Sequence, residues 1–155
     1  MNLAFGGVHI TITSGALIPI LLMIPNAAWM VVPKGDSGTS AAEPWYLTVV
    51  ERIGLAAVLI IPFFHSLDLH KPFAAPAAIG MAVLLAVYYI CWIRYFLGGR
   101  TVELLGASLL GLPLPLAVAP VVWLALSSYL MGSWWMLGAS ALFGFAHIWV
   151  SALTL

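Results

Sequence analysis

The sequence predicts an all-α fold: an integral membrane helical bundle with five transmembrane helices, short loops, N-terminus out and C-terminus in. Three observations lead there. Hydrophobic residues make up 64% of the 155 positions and charged residues 6%, whereas a soluble domain carries about a quarter charged residues. The apolar residues fall in long runs and show no period-two alternation. The last run, Leu104 to Leu155, holds no Asp, Glu, Lys or Arg. As one helix it would measure about 78 Å, against a hydrocarbon core of about 30 Å, so it must fold back. Lipid leaves unpaired backbone groups without partners, which makes each crossing a helix.

The elements follow in order within a single membrane domain, residues 1–155. Span 1 is expected over 8–31. It lacks a basic n-region and outruns a signal-peptide core, so it is read as a retained span. Pro19 and Pro25 interrupt it and Asn26 lies within it. A linker rich in Gly, Ser and Pro covers 33–47. Span 2, 49–67, opens with Glu51-Arg52. Span 3 covers 73–97, and a short loop follows. Span 4, 111–131, begins GLPLPLAVAP. Pro113 and Pro115 suit a helix start, whereas Pro120 removes an internal bond and kinks the span toward Trp123. Gly132-Ser133 makes the turn into span 5, 134–154. Interrupted spans 1 and 4 in corresponding positions fit an inverted repeat.

Orientation follows from Lys and Arg. Lys34, Arg52, Arg94 and Arg100 fall on one side and Lys71 on the other, which places the four inside. Tyr88, Trp92 and Tyr95 then sit at the inner boundary as a lipid-headgroup or aromatic belt, beside snorkelling arginines. Trp29, Trp45, Tyr46 and Trp149 join them there, with Tyr129, Trp134 and Trp135 at the outer boundary.

A carboxylate near the core edge needs a partner. Glu51 is expected to pair with Arg94 or Arg100, with Arg52 completing an inner ion pair or gate. Ser133, Ser140, His147 and Thr154 recur every seven residues on one face of span 5, with Gly144 and Ser151 between. Such a face is either a packing seam with interhelical hydrogen bonds or a ligand path and proton relay centred on His147. Ser140, His147, Ser151, Asn26 and Trp123 make up the expected path. Ala78, Ala82 and Ala86 form a smooth strip on span 3 as a possible partner surface. His9, His65, Asp68 and His70 collect on the outer side, where imidazole plus carboxylate suits zinc, copper or iron. No HExxH or paired-Cys spacing accompanies them. No other cofactor is called for: haem ligation fails on the offset between His147 and His65.

Net charge is zero, with no basic run, so nucleic acid is not expected as a partner. Cys91 is alone, which rules out an internal disulfide. No Walker, GxGxxG or GxSxG pattern occurs, and no acid is expected near His147 for Ser/His/acid hydrolysis.

The segment YYxxWxRYFxxGR (88–100), with PLPLAVAPVVWL and FGFAHIWVS after it, resembles uncharacterised small bacterial polytopic membrane proteins. The resemblance covers about the second half of the chain. It implies a bacterial cytoplasmic membrane and no particular activity.

Three functions are expected. The leading one is a small transporter or channel for a solute or ion, with His147 coupling it to protons. The second is a membrane-embedded enzyme or lipid-ligand binder, in which Tyr88, Trp92 and Arg94 hold an anionic head. The third is a non-catalytic subunit of a larger complex. Small-residue seams lead to the expectation of a homo-oligomer, most simply a dimer.

Overall fold

The computed structural model describes residues 3–5, 8–10, 14–33, 35, 43–109 and 111–154. Leu3–Phe5 (β1) and Val8–Ile10 (β2) pair antiparallel, with Ala4 opposite His9. Every later element is helical: α1 (Leu17–Val31), α2 (Trp45–Ile60), α3 (Ala74–Leu97), α4 (Val102–Gly106), α5 (Pro115–Met131) and α6 (Trp134–Thr154). A 3-10 turn, Ile61–Phe64, extends α2.

Three helical stretches are long and apolar enough to cross a membrane: Trp45–Phe64, Ala74–Leu97 and Trp134–Thr154. The apolar helices α1 and α5 are shorter, with 15 and 17 residues, or about 22 and 26 Å. The start of span 1 is therefore corrected from residue 8 to Leu17. Val8 and Ile10 are β-branched, which disfavours helix, and they lie in a strand; Gly15 stands where the chain meets the end of α2. Its N–H donates to the His65 carbonyl at 3.0 Å. A Cβ at Gly15 would lie 2.6 Å from that same oxygen, so only glycine fits.

Helix α6 packs on α2 and α5, and α5 packs on α3. Glycines set the closest approaches. A Cβ on Gly54 of α2 would lie 2.7 Å from the Phe143 backbone N and Cα of α6. Gly144 of α6 receives the Val121 side chain of α5. These contacts correct the expected seam in two ways. The small face of α6 meets α2 and α5, while Ala82 and Ala86 on α3 are exposed. The hydroxyls also stay on their own helix: Ser140 Oγ donates to the Met136 carbonyl at 2.7 Å and Thr154 Oγ1 to that of Val150 at 2.9 Å.

The bundle differs at its two ends. At the Lys71 end, Ile18, Leu130 and Met136 are fully buried and fill the space between helices. Lys71 Nζ donates to the Tyr129 carbonyl at 3.0 Å and sits against the α5 C-terminus, where a cation suits the helix dipole. Gly132 adopts φ 64 there and ends the helix. Tyr129 Oη bonds the Pro72 carbonyl. At the Arg94 end, α1 stands off from its neighbours and a cavity opens.

Candidate functional site: a half-bundle cavity with an imidazole–carboxylate pair

The cavity occupies about 370 Å³ in the Arg94 half of the bundle. Each wall is one helical stripe. Leu22, Asn26 and Trp29 come from α1, Glu51, Leu55 and Val58 from α2, and Phe143, His147 and Ser151 from α6. Their spacings of three and four residues place each trio on one helix face. Tyr88 and Trp92 line it from α3, and Pro120 and Leu124 from α5. Leu105 of α4 contributes at the end of the bundle.

Helix α1 is held at a distance by side chains reaching to its backbone. Pro25 has no N–H to offer the Leu21 carbonyl; Tyr89 Oη donates to that oxygen instead, at 2.8 Å. Tyr88 Oη donates to the Leu22 carbonyl at 3.2 Å and accepts from Asn26 Nδ2 at 2.6 Å. Trp29 Nε1 donates to Tyr95 Oη at 3.2 Å. Long aromatic struts thus replace close backbone contact, and space remains beneath them.

The central contact joins α2 and α6. His147 Nδ1 lies 2.6 Å from Glu51 Oε1. The Gly54–Phe143 approach produces it: Glu51 stands one turn before Gly54, and His147 one turn after Phe143. The two helices run antiparallel, so both side chains reach the same level. Phe143 stacks on the imidazole, with ring centroids 4.7 Å apart and planes 16° apart. Donation from Nδ1–H to the carboxylate leaves Nε2 free of protein partners among the described residues. This carboxylate-oriented imidazole is equipped to bind, take up or release a proton at the cavity wall.

The pairing corrects two expectations. Glu51 does not meet Arg94 or Arg100; its partner is His147, which therefore does have an acid beside it. Arg94 turns toward the following loop, where Nη2 donates to the Ala107 carbonyl at 2.7 Å and Nη1 to that of Ser108 at 3.1 Å. Arg52 follows Glu51 by about 100° around the helix and is exposed. Arg100 is tied through its backbone, its N–H donating to the Tyr95 carbonyl at 3.1 Å. The four form no gate of paired charges.

Of the expected ligand path, Asn26, His147 and Ser151 line the cavity. Ser140 and Trp123 are buried in packed core outside it. Tyr88, Trp92 and Tyr95 are also corrected: all three are buried, so they form an inner wall and not a headgroup belt. Spacing of four and three residues puts them on one face, and that face turns toward α1. Trp45, Tyr46, Tyr129, Trp134, Trp135 and Trp149 remain exposed.

The metal expectation meets local bonds. His65 Nδ1 donates to the Ile61 carbonyl at 2.9 Å, and Asp68 Oδ1 accepts the His70 N–H at 2.9 Å. The His9 side chain lies outside the described residues. Among the described residues no group of three or more His, Cys, Asp or Glu side chains is placed to hold a metal ion.

Sequence reasoning missed Gly54 and Phe143 as parts of the site, whereas Pro120 of the expected kink does line the cavity. One signal was present: Glu51/Gly54 and Phe143/His147 each pair an ionisable residue with a packing residue one turn away.

No protein family, curated protein or solved structure matches this chain.

Proposed function

We propose that this chain is a small carrier in a bacterial cytoplasmic membrane. It crosses five times, N-terminus out and C-terminus in, and binds a small solute in the inner half. The observation that carries the reading is the Glu51–His147 pair in the wall of a cavity of about 370 Å³. Ionisable groups at membrane depth are costly, and a partnered pair facing a cavity is the usual form of a functional site. The arginines at the cavity end support its assignment to the cytoplasmic side. Packing of Ile18, Leu130 and Met136 at the Lys71 end favours a carrier closed to the outside over an open channel. Proton binding at His147 couples solute occupancy to pH.

Proteoliposomes holding the full chain and an internal pH-sensitive dye test this. A panel of small amines, carboxylates and neutral aromatics is added outside. One class should drive proton movement, and Glu51→Gln and His147→Gln should each abolish it. Binding of a solute with neither solute nor proton flux would overturn the carrier reading. It would favour a membrane-embedded enzyme, for which the orientation of His147 by Glu51 is the specific support: an imidazole so held is a general base. Cysteine labelling from outside at positions 66 and 70, and from inside at 100, tests the orientation.

A further inference from the structure

We propose that the cavity takes a compact lipophilic cation, an aromatic or alkyl ammonium ion, and that this cation exchanges with the proton of His147. The inference deepens the carrier reading and rests on its claim that the cavity is a proton-linked binding site.

The charge of the lining decides the ligand class. Glu51 supplies the negative charge of the wall, and among the described residues no Lys or Arg lines it. Arg94 faces the Ala107 and Ser108 carbonyls, and Arg52 is exposed. The other titratable lining group is Tyr88, whose hydroxyl is engaged by Asn26 and Leu22. The lining residues of α1 and α5 are not titratable, and Cys91 of α3 is buried outside the cavity. Anions are therefore disfavoured. Trp29, Trp92, Tyr88 and Phe143 add aromatic rings to the same cavity lining, and Phe143 stacks on His147. Aromatic rings beside an acid favour a cation with apolar substituents. A strongly hydrated inorganic ion gains little from such walls, whereas a lipophilic ammonium ion is lightly hydrated and covers apolar surface.

Exchange follows from the pair. When His147 is protonated, the imidazolium is itself the cation that Glu51 holds, and the pair is neutral. A ligand ammonium that takes up the carboxylate's charge displaces the imidazole proton to water. One cation enters, one proton leaves, and the net charge of the cavity is unchanged. Raising the pH removes the competing proton, so cation affinity rises with pH until His147 is fully neutral.

The test uses the full chain in lipid nanodiscs with empty nanodiscs as reference. Phenyltrimethylammonium carries a fixed charge and no ionisable proton, so any proton released comes from the protein. Its neutral isostere tert-butylbenzene and the anion benzenesulfonate complete the set. Calorimetry should find the cation bound most tightly, with affinity rising by up to about tenfold per pH unit while His147 is protonated. One proton should be released per cation in that range. Glu51→Gln should weaken cation binding by about 10- to 100-fold, and His147→Gln should keep binding while removing its pH slope. Equal or tighter binding of tert-butylbenzene or benzenesulfonate overturns the inference, as does cation binding without proton release at low pH. The wild-type comparison needs no variant to fold. Proton flux driven by a neutral or anionic solute would sink this inference and spare the carrier reading. Cation–proton exchange without flux would do the reverse.

Discussion

Replacing Gly54 with alanine tests how the site is assembled. The new Cβ would lie 2.7 Å from Phe143 N and Cα, whereas carbon atoms in contact sit about 3.5–4.0 Å apart. Both clashing atoms are backbone, so no rotamer change relieves them, and α2 and α6 must separate by about 1 Å. That shift would stretch the His147–Glu51 contact from 2.6 Å to about 3.6 Å, beyond a hydrogen bond. Overpacking of this kind costs about 1–3 kcal/mol, plus the loss of the pair. Reversible unfolding in mixed micelles reads the stability, and the His147 ring resonances read the contact. Gly138→Ala is the control: nothing stands within 4 Å of its added Cβ, and the change gains about 0.5–1 kcal/mol of helix propensity. A Gly54→Ala protein as stable as wild type, with the pair intact, would refute the argument that this crossing brings Glu51 to His147.

Other expectations can be checked in the same preparations. Gly144→Ala drives a Cβ into the Val121 side chain and should destabilise by about 1–2 kcal/mol in micellar unfolding, less than Gly54→Ala because a side chain can yield. Tyr88→Phe removes the oxygen that Asn26 and Leu22 share. It should cost about 0.5–1.5 kcal/mol, with non-additivity toward Asn26→Leu in a double-mutant cycle. Lys71→Met takes the cation from the α5 C-terminus and should lower stability by about 0.3–1 kcal/mol, measured by thermal melting. Arg94→Gln releases the Ala107 and Ser108 carbonyls. It should speed proteolysis between 98 and 112 while leaving the rest of the bundle protected.

Composition and breakers made much of the fold legible. The expected spans 73–97 and 134–154 agree with α3 and α6 to within a residue, because long apolar runs end at Gly98 and at Gly132-Ser133. The start of α1 was misplaced because apolarity alone does not separate a β-branched stretch from a helix. Polarity within the expected spans singled out Asn26, Glu51 and His147, and all three line the cavity. Which acid meets which base was not legible. Glu51 and His147 lie 96 positions apart, and their meeting depends on where a glycine admits a facing backbone. Charge complementarity pointed to arginine for Glu51, but helix rotation turns Arg94 toward the loop carbonyls. The aromatic stripe of Tyr88, Trp92 and Tyr95 was visible as a periodicity; its inward direction depends on α1, which lies far off in sequence.

Nitrogen NMR of labelled histidine in bilayers addresses the Glu51–His147 contact most directly, with His147 assigned among the four histidines by His147→Gln. The neutral ring should carry its proton on Nδ1, with a far-downfield Nδ1–H that disappears in Glu51→Gln and an Nε2 resonance that moves when phenyltrimethylammonium is added. A neutral ring protonated on Nε2, with resonances indifferent to Glu51→Gln, would contradict the account.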